Sequence, residues 1–232
     1  MKKALSVVCC SLFMSLFSLS AHSVQNEEYQ AYREYFPLAK KVESASKIVV
    51  FFSFASRESY ELIYKNGLLR YLNVRGYDVE LIPVDFFSPY DNYLAERWHL
   101  ESSNGFLIKN YEVSSEGFFY NVFHNMRGLK YSGRDINADA EMSMIVNISG
   151  FAKRLDELIS KNPFRFEGNI IWYNSKRKEM IQKFNVTSVP SVYIKGEYLI
   201  NDSVMSTRKR ISEGNDLDYV NLIRYLLEKK SD

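Results

Sequence analysis

The stretch Lys47-Ile48-Val49-Val50-Phe51-Phe52-Ser53-Phe54 decides the fold class. It is an unbroken apolar, β-branched and aromatic run until Ser53. A strand with one wet face alternates in polarity, whereas a run like this marks a strand covered on both faces. Downstream, Ser56 to Tyr71 carries Leu62, Ile63, Leu68 and Leu69 at helical spacing and predicts a helix. Asp78 to Asp85 (DVELIPVD) alternates and predicts a second strand. A β-α-β opening implies a right-handed crossover and two parallel strands.

Outward from that unit, Glu28 to Lys40 reads as a short amphipathic lead-in. Beyond it the middle of the chain is helical. Ser88-Pro89 has the form of a helix start, with Ser as N-cap and Pro at the first position, and Leu94, Trp98 and Phe106 to Ile108 carry that helix on. Ser114 or Ser115 caps a second helix and Asn137 a third, which stops at Gly150. Phe151 to Ile159 and Ile170 to Phe184 continue the helical spacing. Ser191 to Ile200 (SVYI-KG-EYLI) then predicts a β-hairpin with Gly196 in its turn. Leu217 to Lys229 predicts a closing amphipathic helix with basic residues in its last turn.

The N-terminus predicts a signal peptide over residues 1–23: Lys2-Lys3, an apolar stretch from Ala4 to Leu19, then Ala21-His22-Ser23 as the cleavage site. The apolar stretch is too short for a comfortable membrane span. Its removal takes Cys9 and Cys10, the only cysteines of the 232 residues, and leaves 28 basic and 28 acidic residues. The processed chain then has no disulfide, no thiol and only His99 and His124, which argues against structural zinc, cysteine nucleophiles and metal or other cofactors. The even charge balance argues against nucleic acid as a partner. Hydrophobic residues make up 46% and charged ones 25%, which excludes a disordered chain.

Two segments carry a family resemblance. Phe51-Phe52-Ser53-Phe54-Ala55-Ser56-Arg57-Glu58-Ser59-Tyr60 resembles the active-site segment of the DsbA family of exported disulfide oxidases, in which an FFSF-like strand end leads into Cys-Pro-His-Cys-Tyr. Thr187-Ser188-Val189-Pro190-Ser191-Val192-Tyr193 resembles the cis-proline loop of that family. The resemblance implies an α/β, thioredoxin-like fold with an inserted helical domain: a first thioredoxin-like segment over 24–86, the helical insertion over 87–167, and a second thioredoxin-like segment over 168–232. It also implies a periplasmic location and a loop, Ser188, Val189 and Pro190, that pairs with extended peptide. The chemistry does not carry over. Ser56 and Ser59 stand where the family has its two cysteines, and Arg57-Glu58 where it has Pro-His. Disulfide exchange needs a thiolate. Val50 stands where the family commonly has a buried Glu, and a second such Glu aligns without gaps to Ala39.

Other features have plainer readings. Ser56-x-x-Ser59 lacks a base within the motif and suits helix capping, with Glu58 favoured in the first turn by the helix dipole. Asp135 to Glu141 begins like a calcium loop but has Ala140 at the glycine position and Val146 at the final glutamate. Lys176-Arg177-Lys178 and Arg208-Lys209-Arg210 suit solvated faces. Three functions follow: a redox-inactive protein that holds extended or unfolded polypeptide clients, or serves an envelope assembly complex; a thiol:disulfide interchange protein by family label; and an accessory subunit of a secretion or conjugation apparatus.

Overall fold

The computed structural model describes residues 29–65, 68–88, 91–103, 157, 159–205 and 217–230. The signal-peptide stretch, His124, the caps at Ser114 and Asn137, the calcium-like segment and Arg208-Lys209-Arg210 lie outside the described residues, as does most of the segment read as helical insertion.

Five strands form one sheet: β1 (Tyr35–Pro37), β2 (Ile48–Phe52), β3 (Val79–Pro83), β4 (Ser191–Ile194) and β5 (Tyr198–Ile200), in the order β1-β5-β4-β2-β3. β2 and β3 are parallel, and the other pairings are antiparallel. Every residue of β2 is buried. Ile48, Val50 and Phe52 meet one cluster, with Leu68, Leu72, Leu222, Ile223 and Leu226; Val49 and Phe51 meet the other, with Met180, Ile181 and Phe184. Helices therefore cover both faces of the central strand, and each of its large side chains contributes about 1.5–3 kcal/mol by leaving water. Pro83 is tolerated because β3 is an edge strand.

The helices are α1 (Arg57–Tyr60), a π-helical stretch (Glu61–Lys65), α2 (Leu68–Val74), α3 (Asp91–Ser103), α4 (Pro163–Lys183) and α5 (Leu217–Glu228). The single helix expected over Ser56 to Tyr71 is thus divided, although its apolar residues do face inward. α3 and α4 both lie in the chain between β3 and β4, and the two helices pack on one another, so the architecture is a thioredoxin-like fold with inserted helices. α4 runs unbroken through residues 167 and 168.

The lead-in differs from its expectation. Tyr35 to Pro37 pairs with β5 as a strand, and Ala31 and Tyr32 fold back over the outer side of Tyr35 through a bridge and a 2.7 Å bond from the Tyr32 amide to the Tyr35 carbonyl. The hairpin turn has positive φ at both Lys195 and Gly196, the pattern of a type I′ turn. A Cβ on residue 196 would lie 1.8 Å from the Val42 carbonyl oxygen, so only glycine fits. α5 ends at Glu228, one residue before the expected basic last turn, and the Lys195 ammonium donates to the Lys229 carbonyl at 2.7 Å. No described helix is long and apolar enough to cross a membrane.

Candidate functional site

β2 runs directly into the degenerate motif. Ser56 has extended dihedrals and its Oγ accepts the Ser59 amide at 3.0 Å, so it is the N-cap of α1. Its proton goes to the Glu58 carboxylate at 3.1 Å. Ser59 Oγ in turn accepts the Ser53 amide at 3.3 Å. Ser56 is 1% exposed and Ser59 is wholly buried. Arg57 points outward and pairs with Glu61 at 3.0 Å. His99 is not at the motif's disposal, since it stacks flat on Tyr173 at 3.9 Å and bonds Asn169. Both hydroxyls are built into the helix start, and among the described residues no histidine stands beside them; the acceptor of the Ser56 proton is the Glu58 carboxylate.

The loop before β4 lies beside this motif. Phe51 pairs with Ser191, so the cis Val189–Pro190 peptide sits at the same sheet end as Ser56. Ser191 Oγ donates to the Ser188 carbonyl at 2.7 Å and holds the loop closed on itself. Ser188 is exposed, Pro190 buried, and Val189 half-buried against the Phe51 cluster. Among the described residues, no hydrogen bond engages the Val189 backbone.

The two acids of the resembling family are absent here, with Val50 and Ala39 at the aligned positions. Val50 is apolar and buried as expected, but Ala39 is exposed in the loop after β1 and occupies no buried acid's place. A buried carboxylate nevertheless reaches the motif from another element. Asp91, at the start of α3, is 1% exposed. It accepts Ser53 Oγ at 2.6 Å and the amides of Phe87 and Ser88 at 2.9 and 2.7 Å. Asp91 thus stands two hydrogen bonds from Ser59, through Ser53. Burial pushes its carboxyl above the ordinary range, while the bonds from Ser53, Ser88 and Phe87 and the Arg177 charge pull the other way.

Arg177 departs from the solvated-face reading as well. It is 2% exposed where α3 crosses α4. Its Nη2 donates to Asn92 and, at 3.0 Å, to Asn174, while Nε and Nη1 have no partner among the described residues. Both asparagine amides donate to Glu96, at 2.9 and 2.6 Å, so an acid balances the guanidinium at one remove. Lys176 and Lys178 on either side are exposed as expected. Among the described residues no group of acids, histidines or cysteines is arranged to hold a metal.

No protein-family model and no curated protein matches the sequence. Solved structures do. A DsbA disulfide interchange protein from Klebsiella pneumoniae is 21% identical, over 88% of this chain and all of that one, with a TM-score of 0.62. DsbL from Salmonella enterica serovar Typhimurium is 15% identical over 87% of this chain and 98% of that one, with a TM-score of 0.64. A Cys→Ser variant of DsbA from Proteus mirabilis, solved with a non-covalently bound peptide, is 20% identical over 87% of this chain and 99% of that one, with a TM-score of 0.62. Agreement at such coverage with so little identity is agreement in backbone architecture. The chain has the fold of the DsbA disulfide oxidoreductases.

Proposed function

We propose that this chain is an exported, redox-inactive protein that holds extended polypeptide segments at Ser188, Val189 and Pro190 without oxidising them. The carrying observation is a contrast at one sheet end: the two residues in the cysteine positions are buried serines, one the N-cap and one bonded to the Ser53 amide, while among the described residues no hydrogen bond engages the Val189 backbone beside them. An extended client adds there as a strand, with main-chain bonds giving affinity and tolerance of sequence. The Proteus mirabilis variant, which has lost a cysteine to serine, binds its peptide non-covalently. A cysteine pair is therefore not a condition for peptide binding on this fold. The export signal over residues 1–23 and a periplasmic location complete the reading. An oxidoreductase role lacks its reagent, because Cys9 and Cys10 are the only thiols and leave with the signal.

The experiment places a photocrosslinking residue at Val189 and, as control, at Lys47 on the opposite sheet end. A reduced, alkylated ribonuclease is the probe. Adducts concentrated at Val189 and unchanged by dithiothreitol support the reading. Equal labelling at both positions, or thiol turnover by the processed protein, defeats it. Stoichiometric purification with one folded partner, and no capture of the unfolded probe, favours an accessory subunit instead.

A further inference from the structure

Asp91 does more than begin a helix. In a capping box the side chain three residues after the N-cap accepts that residue's amide. Here the carboxylate is buried, and among the described residues no cation lies within ion-pair distance of it. Burying an anion is costly unless hydrogen bonds replace its water. Three do, and they come from two different segments: Ser53 at the end of β2, and Phe87 and Ser88 in the β3–α3 loop.

Ser53 makes this arrangement directional. Its one hydroxyl proton goes to Asp91, which leaves its lone pair for the Ala55 amide at 3.0 Å, while its own amide meets Ser59 Oγ. The turn into the motif is thus oriented by an acceptor supplied from α3. Arg177 is the charged side chain that acts on Asp91 from α4.

We propose that Asp91 is the positioning residue of the peptide site: it clamps the Ser53–Ser59 turn to the Phe87–Ser88 backbone, so that the client-facing end of the sheet is held as one body. This rests on the peptide-binding reading of the Val189 loop. The clamp limits what must be ordered when an extended segment docks, and pre-organisation of that kind raises affinity without adding contacts.

The test uses the full processed chain with the Val189 crosslinker and reduced, alkylated ribonuclease. D91N keeps the size of the side chain but presents an amide NH₂ where acceptors are needed. L94A, one turn along the same helix and wholly buried, is the stability-matched control. D91N is expected to lower adduct yield about fivefold or more below L94A at matched distance from each variant's thermal midpoint. In D91N the Phe87 and Ser88 amides lose their downfield shifts and exchange at least about tenfold faster, and in L94A they do not. If D91N fails to fold, S53A carries the test: capture falls and the Ala55 amide exchanges faster, while Phe87 and Ser88 stay protected. Capture that survives in D91N with those amides released overturns the role of Asp91 alone. No adduct with the unsubstituted chain overturns the peptide-binding reading, and the amide shifts still report whether the clamp exists.

Discussion

Ser59 presents its amide to Ser56 Oγ at 3.0 Å, so the two residues in the cysteine positions are joined as cap and helix rather than as a reactive pair. Ser56→Ala removes the acceptor and is expected to cost about 1 kcal/mol, within the usual 0.5–2 range for an N-cap. Ser56→Asp restores a capping oxygen but places a second carboxylate beside Glu58, and should recover only some of the loss. Urea unfolding of the three proteins checks the order.

Restoring the thiols tests the electrostatics of the motif. Ser56→Cys with Ser59→Cys places a cysteine at the α1 N-cap, where the dipole favours a thiolate, but Glu58 opposes it. Adding Glu58→His should lower the pKa of residue 56 and make the pair a stronger oxidant, read as a shift in glutathione equilibrium. No shift, or one in the opposite direction, refutes this account of Glu58.

Arg177 supplies charge and volume at once, and two substitutions separate them. Arg177→Ala leaves a cavity between α3 and α4 and should cost about 2–4 kcal/mol. Arg177→Met refills much of that space and removes two nitrogens that have no partner among the described residues, so it should cost at least about 1 kcal/mol less than the alanine. Both remove a cation that holds Asp91 down, so the carboxyl titration, followed by carbon NMR, should move up in each.

His99 gives a pH dependence with a definite sign. Burial pushes its imidazole below 6.5; the bond to Asn169 opposes that and the Lys176 charge adds to it. The folded protein therefore favours neutral His99. The stability this provides is present above the unfolded value of 6.5 and is lost as pH falls through the lower folded value. Thermal midpoints should fall over that window in the natural protein, and His99→Gln should flatten the fall. A steeper fall in the variant would falsify the assignment.

The central elements were legible because their signals are local. β2, β3 and the β4–β5 hairpin show in composition, alternation and Gly196. β1 was not legible: Tyr35-Phe36-Pro37 is three residues without a pattern, and it is a strand only because β5 offers it a ladder. Apolar spacing predicted the buried face of the helix after Ser56 but not its π-helical stretch, since side-chain period does not encode which carbonyl an amide chooses. Ser88-x-x-Asp91 carried a capping-box signal that would have marked Asp91. Its bond to Ser53, 38 residues away, joins the end of β2 to the start of α3, and Arg177 is buried within a basic run where α3 meets α4; no short window contains either contact.

The fold-back of Ala31 and Tyr32 over Tyr35 has a consequence for assembly. An uncovered edge strand is a template on which a second copy can stack, and a row of such copies is how fibres start. Here the chain occupies that margin of β1 itself, while at the far side of the sheet β3 carries the charge of Glu80 and the missing donor of Pro83. Under the function proposed above, a protein that receives extended strands must avoid receiving its own kind. Among the described residues, these two blunted borders contrast with Val189, whose backbone carries no hydrogen bond.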